Sequence, residues 1–214
     1  MGSQTIIDLI SSSVVFGGLL LIALRLNGST MERSQDFHED LIVQQNLVEI
    51  TKLLEYDFRK IAYCKDYTKI PVPTQAIRYA DSTKIRFWTD LATTTSPDGD
   101  GNVDSLTYYI GPVSELDVTP NPNDRLLYRV ENNDTPVGVN LGVTIFNLEY
   151  YDVFKNKLAT PVADPRLINL LQITVQTEHP TKWTKYYNTA SYDTVYQSAY
   201  WRQVRLVAKN LNNR

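Results

Sequence analysis

Four oxygen-bearing side chains alternate through a glycine-rich stretch near the middle of the chain: Asp98, Asp100, Asn102 and Asp104. Oxygen ligands at every second residue are what calcium-binding loops supply. An EF-hand loop starting at Asp98 would carry a bidentate Glu at its twelfth position, where this sequence has Tyr109. The spacing therefore predicts a calcium site that is built differently from an EF-hand. The alternative is a solvated hairpin turn rich in Asp and Gly.

The side chains that most often do catalytic chemistry lie in no recognisable motif. His38 and His179 are far apart in the sequence, and neither has a catalytic or metal-binding signature around it. Cys64 follows a predicted helix, and we expect a small packed residue there rather than a reactive thiol. The sequence therefore predicts a protein that is not an enzyme. The alternative is an anchored enzyme with a site built from scattered acids: Asp57, Asp90 and Asp152.

An acid lies near the start of a long apolar segment. Asp8 is preceded by Ile6 and Ile7 and followed by sixteen residues, 9–24, without a charge. The segment approaches the roughly 20 residues needed to cross a bilayer, and it lacks the basic start and cleavage site of a secretory signal. We predict a retained membrane anchor whose acid pairs with a cation, because an ionised group in hydrocarbon costs several kcal/mol. The alternative is that Asp8 is solvated among the lipid headgroups.

Aromatic side chains cluster late in the chain. The candidates for contact with another subunit are Tyr192, Tyr196, Tyr200 and Trp201. Such rings bury a large area while their polar atoms stay wet, which suits an interface. The alternative is that alternate rings fill the protein's own core and sheet edge. Residues 177–198 show few regular apolar repeats and are predicted to form a long structured loop.

A single long helix is predicted from about Thr5 to Tyr63. At 1.5 Å per residue it would be on the order of 85 Å long, so it must protrude from its domain. Gly17 and Gly18 are the predicted points of flexibility, because Gly costs roughly 1 kcal/mol relative to Ala inside a helix. Apolar residues at spacings of three and four predict a buried stripe on its second half: Leu47, Ile50, Leu54, Phe58 and Ile61.

Short β-runs separated by turn residues follow the helix. They are Ile77–Tyr79, Lys84–Trp88, Ser105–Ile110, Arg125–Val130, Gly142–Tyr151, Leu167–Thr177 and Tyr200–Val207. We expect one mostly antiparallel sheet, in which Leu171, Ile173 and Val175 point inward and their polar neighbours face water. The predicted class is α+β, with the long helix packed on this sheet. The predicted segments are 1–30 (transmembrane and assembly helix), 31–64 (amphipathic continuation of the helix) and 65–214 (β-rich head).

Composition and charge limit the remaining function classes. The 214 residues carry a net charge of −3 and no Lys/Arg cluster, which disfavours nucleic acid as a partner. A single Cys excludes a disulfide within the chain. The length fits one anchor and one globular domain.

The start of the chain resembles the mature start of type IV pilins, Phe-Thr-Leu-Ile-Glu-Leu-Leu. A cut between Ser3 and Gln4 would leave Gln4-Thr5-Ile6-Ile7-Asp8-Leu9-Ile10, with Asp8 at the fifth position, where the family carries its acid. Family leaders normally carry basic residues and end in Gly, whereas Met1-Gly2-Ser3 precedes this cut. Later segments, in the same order along the chain, are similar to W-type minor pilins and J-type pseudopilins: Leu53–Ile61, Ile85–Asp90, Asp98–Asp104, Leu106–Ile110, Leu126–Arg129, Phe146–Asp152 and Arg205–Leu211.

The resemblance implies a structural subunit of a type IV pilus-like or type II secretion pseudopilus-like filament, and more narrowly a minor one. The implied partners are other pilin or pseudopilin subunits, met through the N-terminal helices, and an inner-membrane assembly platform. The implied location is the inner membrane before assembly and then an extracytoplasmic filament, at the cell surface or in the periplasm. No cofactor is expected, unless the acidic loop 98–104 binds calcium. The alternative function is a single-pass, membrane-anchored extracytoplasmic binding module.

Overall fold

The computed structural model describes the backbone of residues 2–178, 183–188, 191–196, 199–207 and 209–212, and the side chains of residues 4, 6–178, 200–207 and 210–211. The chain divides into two compact units, Met1–Ile42 and Val43–Arg214. The described residues of the first unit, 2–42, are all helical. The boundary between the two units lies within residues 31–64, which were predicted from the sequence to form one segment.

Helix α1 runs without a break from Gly2 to Arg59, a length of 58 residues. It passes through Gly17 and Gly18, where an added Cβ would meet nothing within 4 Å, so flexibility at these glycines stays a prediction. The helix ends four residues before the predicted Tyr63. Ala62 adopts a left-handed conformation with φ 64°, and its N–H bonds to the Trp88 carbonyl at 3.0 Å instead of continuing the helix.

In the described part of the chain, ten strands, one short α-helix and four 3₁₀ turns follow α1; the strands and the α-helix position the rest of the head. They are β1 (Ile77–Ala80), β2 (Lys84–Thr89), β3 (Asp104–Ile110), β4 (Leu127–Glu131), β5 (Val137–Val139), β6 (Val143–Tyr151), β7 (Leu170–Glu178), β8 (Trp183–Asn188), β9 (Ser191–Tyr196), β10 (Ala199–Val207) and α2 (Lys209–Asn212). A five-stranded sheet has the order β1-β2-β3-β4-β5, a three-stranded sheet has the order β10-β7-β6, and β8 pairs with β9. All of these pairings are antiparallel. The predicted α+β class, with a long N-terminal helix and antiparallel sheets, is confirmed.

Two predictions about the strands are wrong. The described strands form three sheets rather than one. Loops occupy the free edge of β6: the Leu148 N–H bonds to the Ser82 carbonyl at 2.7 Å, and the Leu158 N–H bonds to the Tyr150 carbonyl at 2.8 Å. The predicted loop 177–198 contains the hairpin β8–β9, which forms by local pairing and needs no apolar periodicity.

The apolar stripe of α1 faces the core of the second unit, as predicted. The four stripe residues within α1 are buried there, as is Ile61 just beyond the end of the helix. The ring of Phe58 packs edge-on against the rings of Phe87 and Tyr108, with 5.4 Å between the ring centroids in each pair. On β7, the predicted inward residues Leu171, Ile173 and Val175 are each 2% exposed. This face and the helix stripe share one hydrophobic core.

The opposite face of β7 is less exposed to solvent than predicted. Gln172 is buried because it lies between Glu149 of β6 and Arg205 of β10 in the register of the sheet. Its amide donates to Glu149 at 2.6 Å and its oxygen accepts from Arg205 at 2.6 Å. A row of complementary side chains across the three strands covers this position.

Candidate functional site

The N-terminal half of α1 is an apolar surface. It contains an 18-residue window that is long and apolar enough to cross a membrane, and none of that window is buried within the chain. Gln4 and Asp8, the predicted assembly residues, are exposed on it. The large side chains here are exposed on every side of the helix, from Ile6 to Leu26. This is the pattern of a segment whose surroundings are lipid or other apolar helices.

Hydroxyl groups in this segment are satisfied by the helix itself. Ser12 and Ser13 both donate to the Leu9 carbonyl at 2.9 Å. Ser29 and Thr30 donate to the Leu26 carbonyl at 3.0 and 2.8 Å. A hydroxyl that bonds back to the preceding turn needs no water, so these residues are compatible with a hydrocarbon environment.

Asp90 holds the acidic loop in the head. The residue is completely buried. Its carboxylate accepts hydrogen bonds from the backbone N–H groups of Lys65 at 3.0 Å, Asp100 at 3.0 Å and Gly101 at 2.9 Å. The Cys64 thiol adds a weaker contact at 3.7 Å. One charged acceptor thus joins the segment after α1 to the loop between β2 and β3.

Two of the predicted calcium ligands bond within the loop and to a lysine. Asp100 accepts from the backbone N–H and the side-chain amide of Asn102 at 2.8 and 3.0 Å. These bonds, the side-chain one first, lower the pKa of Asp100. Asn102 accepts from the Lys69 ammonium at 2.6 Å. Both side chains therefore have hydrogen-bond partners without a metal ion: Asp100 in an Asx turn and Asn102 with the lysine.

The other two predicted calcium ligands, Asp98 and Asp104, have different surroundings. Asp104 accepts from the Leu91 N–H at 3.0 Å and from the Asn132 amide at 2.9 Å, which ties β3 to its flanking loops. Asp98 is exposed. Among the described residues, no group of three or more His, Cys, Asp or Glu side chains has a metal-binding arrangement. Calcium binding at residues 98–104 stays a prediction.

Replacing Gly99 by Ala is expected to destabilise the head by about 1–3 kcal/mol. Gly99 has φ +109°, and an added Cβ would lie 2.1 Å from an oxygen of the buried Asp90. The backbone conformation and the contact are both unfavourable for alanine. Thermal unfolding of the full chain in detergent checks this, with Gly28→Ala as the control, because a Cβ on Gly28 meets nothing within 4 Å. An unchanged midpoint for Gly99→Ala would contradict the role given to Asp90.

A buried ion pair lies beneath the helix stripe. Asp57 is 2% exposed and accepts from the Tyr108 hydroxyl at 2.5 Å and from the Arg129 Nε at 2.7 Å. Arg129 also donates to Glu131. Burial, with the negative charge of Asp57 second, raises the pKa of Tyr108, so the phenol stays protonated and donates. The sequence pattern identified Asp57 only as one of three scattered acids and did not indicate this group. Its one local signal was an acid three residues after Leu54 on the apolar face of the helix.

The acids of the enzyme alternative have separate partners. Asp57 binds Arg129 and Tyr108, Asp90 binds backbone N–H groups, and Asp152 accepts from the backbone and side chain of Asn156 at 2.8 and 3.0 Å. Each of the three carboxylates thus accepts hydrogen bonds from its own set of partners.

The remaining predicted residues are placed as follows. Cys64 is buried, and burial raises the pKa of its thiol, as expected for a packed residue. His38 is exposed on α1, and His179 lies outside the described residues. The side chains of two interface candidates, Tyr192 and Tyr196, also lie outside the described residues. Of the other two candidates, Tyr200 packs partly buried against the core and Trp201 is 66% exposed on the outer face of the sheet.

Comparison with known proteins gives similarity at the level of structure. Neither the known protein families nor the curated protein sequences give a match. A solved type IV-like pilin from Thermus thermophilus is similar in structure, with a TM-score of 0.43 and 12% sequence identity. The similarity covers 78% of this chain and 97% of that pilin.

Proposed function

We propose that this protein is a structural subunit of a type IV pilus-like or type II secretion pseudopilus-like filament. The observation that carries the proposal is the composition of α1. One unbroken helix contains a charge-free segment, 9–24, exposed on every side, and further along a stripe that packs into the head core. A simple membrane tether needs only the first of these features. A helix that serves both as assembly segment and as core element is what a subunit requires when its helices pack together.

Asp8 is the residue that sets the register between such helices. An apolar helix can slide along another with little change in energy, because its contacts are similar at many positions. A carboxylate that must meet an ammonium group removes this freedom. At about 4 Å and an effective dielectric constant near 20, the attraction is roughly 4 kcal/mol. The proposed partner is the α-amino group of a neighbouring subunit, at Gln4 after cleavage.

The narrower assignment rests on the sequence. The segments similar to W-type minor pilins and J-type pseudopilins support a minor subunit near the filament tip. Its partners would be other subunits of the class and an inner-membrane assembly platform. The protein would lie in the inner membrane before assembly and in an extracytoplasmic filament afterwards.

Asp8→Ala is expected to reduce the amount of protein in sheared filaments at least tenfold, which corresponds to about 1.4 kcal/mol. The reason is the loss of the charge that selects the register. The measurement is quantitative immunoblotting of sheared and membrane fractions from cells that express the variant. Ser12→Ala is the matched control, because its hydroxyl bonds only within the helix. Equal filament yield for Asp8→Ala would favour the anchored binding module. If the Asp8→Ala protein is lost from the membrane fraction as well, its insertion into the membrane has failed. The test is then repeated with Asp8→Asn.

Intact mass and N-terminal sequencing of the same fractions test the processing step separately. A start at Gln4 in sheared filaments supports cleavage and the proposed ammonium partner. A start at Met1, found only in membranes, contradicts both.

A further inference from the structure

A tight turn after β6 presents two apolar side chains to solvent, and we call residues 152–157 the Phe154 knob. Val153 is 69% exposed and Phe154 is 84% exposed. The Asp152 carboxylate accepts from the backbone N–H and the side-chain amide of Asn156 at 2.8 and 3.0 Å. The Asp152 N–H donates to the Asn156 carbonyl at 3.0 Å. These bonds fix the backbone of the turn, so the knob presents its aromatic ring from a defined position.

An apolar cavity of about 200 Å³ opens on the head between the second half of α1 and strand β5, and we call it the α1–β5 cavity. Leu53 and Val139 in its wall are 45% and 48% exposed, so the cavity is open to solvent. A cavity of about 150 Å³ with an aliphatic lining holds a benzene ring, so this one is large enough for the ring of a phenylalanine. Its aliphatic wall consists of Ile50, Leu53, Leu54, Leu127, Val139 and Leu141.

The charges beside the knob and the cavity are complementary. Glu49 lines the cavity and is exposed, and Lys155 follows the ring of the knob and is also exposed. Within the described part of the chain, neither of these two residues has an ion-pair partner. Arg129 and Tyr108 also line the cavity, but both already bond to Asp57. The charge that the cavity offers to a partner is therefore negative, and the charge beside the knob is positive.

The knob cannot fill the cavity of its own chain. Leu141 of the cavity lies two residues before β6, and Phe154 lies three residues after it. From Val143 to Tyr151, β6 spans roughly 26 Å at the usual rise of a strand. The two surfaces thus lie at opposite ends of this strand, and a contact between them joins two molecules.

We propose that the Phe154 knob of one molecule inserts into the α1–β5 cavity of a second copy of this chain. Phe154 would enter the apolar cavity, and Lys155 would lie against Glu49. Because the two surfaces differ, each bound pair of molecules keeps one free knob and one free cavity. Such a contact produces a ring or an open filament and not a two-fold symmetric dimer. The inference goes beyond the proposed function, because it assigns a contact between heads and does not depend on the N-terminal helices.

The contact is small, which determines how it is measured. One aromatic side chain buries roughly 150–250 Å², whereas a stable interface buries roughly 1,200 Å² or more. We therefore expect weak association of isolated molecules, which strengthens when a second contact holds the same molecules together. Covalent trapping at high protein concentration is the suitable method.

The test is thiol cross-linking of the purified full chain in detergent with a short bismaleimide. Lys155→Cys and Glu49→Cys are combined in one chain, and each single variant controls for the native Cys64, which is buried. We expect a ladder of covalent dimers, trimers and larger oligomers from the double variant. Each single variant alone should stay monomeric, and a mixture of the two single variants should give dimers only.

The ring is tested by adding Phe154→Ser to the double variant. The cross-linked fraction should fall by about tenfold or more, because an aromatic anchor in an apolar pocket carries much of the energy of a contact. Val118→Ser is the matched control, because it removes an apolar side chain that is 95% exposed, and it should leave the ladder unchanged. Thermal unfolding checks that both variants are folded.

Three results would overturn the proposal: no ladder from the double variant, a ladder that persists in Phe154→Ser, or dimers from Glu49→Cys alone, which would indicate a symmetric contact. Cross-linking in cell membranes to a protein of different mass, without the ladder, would replace the second copy by another partner. None of these results bears on filament assembly, which the Asp8 variants measure. Loss of filaments in Asp8→Ala and loss of the ladder in Phe154→Ser are therefore distinguishable.

Discussion

Asp57→Ala is expected to lower the free energy of unfolding by about 3–5 kcal/mol. The substitution leaves Arg129 charged with its Asp57 partner gone, and it leaves the Tyr108 hydroxyl without its acceptor at 2.5 Å. Chemical denaturation of the full chain in detergent, followed by near-UV circular dichroism, measures the loss. A head of this size has only about 5–15 kcal/mol in total, so the variant would be markedly unstable.

A double variant separates the cost of an unpaired charge from the value of the ion pair. Arg129→Met alone should also destabilise the head, because Asp57 then stays buried and unpaired. Asp57→Leu combined with Arg129→Met removes both charges and should recover at least about 2 kcal/mol relative to Asp57→Leu alone or Arg129→Met alone, since apolar pairs often replace buried ion pairs at little cost. Additive losses in the double variant would contradict this account.

Asp90→Ala has the second large expected effect, a loss of about 3 kcal/mol or more. Three backbone N–H groups, from Lys65, Asp100 and Gly101, lose their acceptor together. Each buried donor left unpaired costs about 1–3 kcal/mol, less where water enters. The loop between β2 and β3 should also become more mobile, which hydrogen exchange at Gly101 would report.

The control for Asp90 is an acid of the same loop with only local bonds. Asp100 is exposed, and within the described part of the chain its carboxylate accepts hydrogen bonds only from Asn102. Asp100→Ala should therefore destabilise the head much less than Asp90→Ala, as expected for an exposed side chain that only caps a turn. Equal losses at the two positions would show that the loop depends on its Asx turn rather than on the buried carboxylate.

Local pattern predicted the elements of the fold well where burial is periodic. The stripe on α1 and the alternation on β7 depend only on side chains a few residues apart, and both are present in the core. Strand β5 was missed, because three residues with exposed valines carry no pattern of their own. The division into separate sheets was also missed, since it depends on which segments occupy the edge of β6.

The candidate sites, like the fold, were predictable where they depend on neighbouring residues and not where they depend on distant ones. Asp8 and the apolar segment after it are apparent from the sequence, because a run of uncharged residues is a local property. The spacing of the acidic loop was equally visible, but spacing does not show what each carboxylate bonds to. The structure assigns Asp100 and Asp104 to turns and strand ends, and it brings Asp57 and Arg129 together from distant segments.

The sequence by itself thus determined the membrane-compatible helix, its buried continuation and the α+β class, because each depends on periodicity along a short stretch of chain. Only the tertiary structure decided which acids are buried and what faces them. Asp57 forms an ion pair with Arg129, which is 72 residues away in the sequence. Asp90 accepts a hydrogen bond from the backbone N–H of Gly101, and a backbone contact of this kind cannot be predicted from residue types. The environment of a buried charge is made by contacts that are remote in sequence, so its chemistry becomes readable only after the chain has folded.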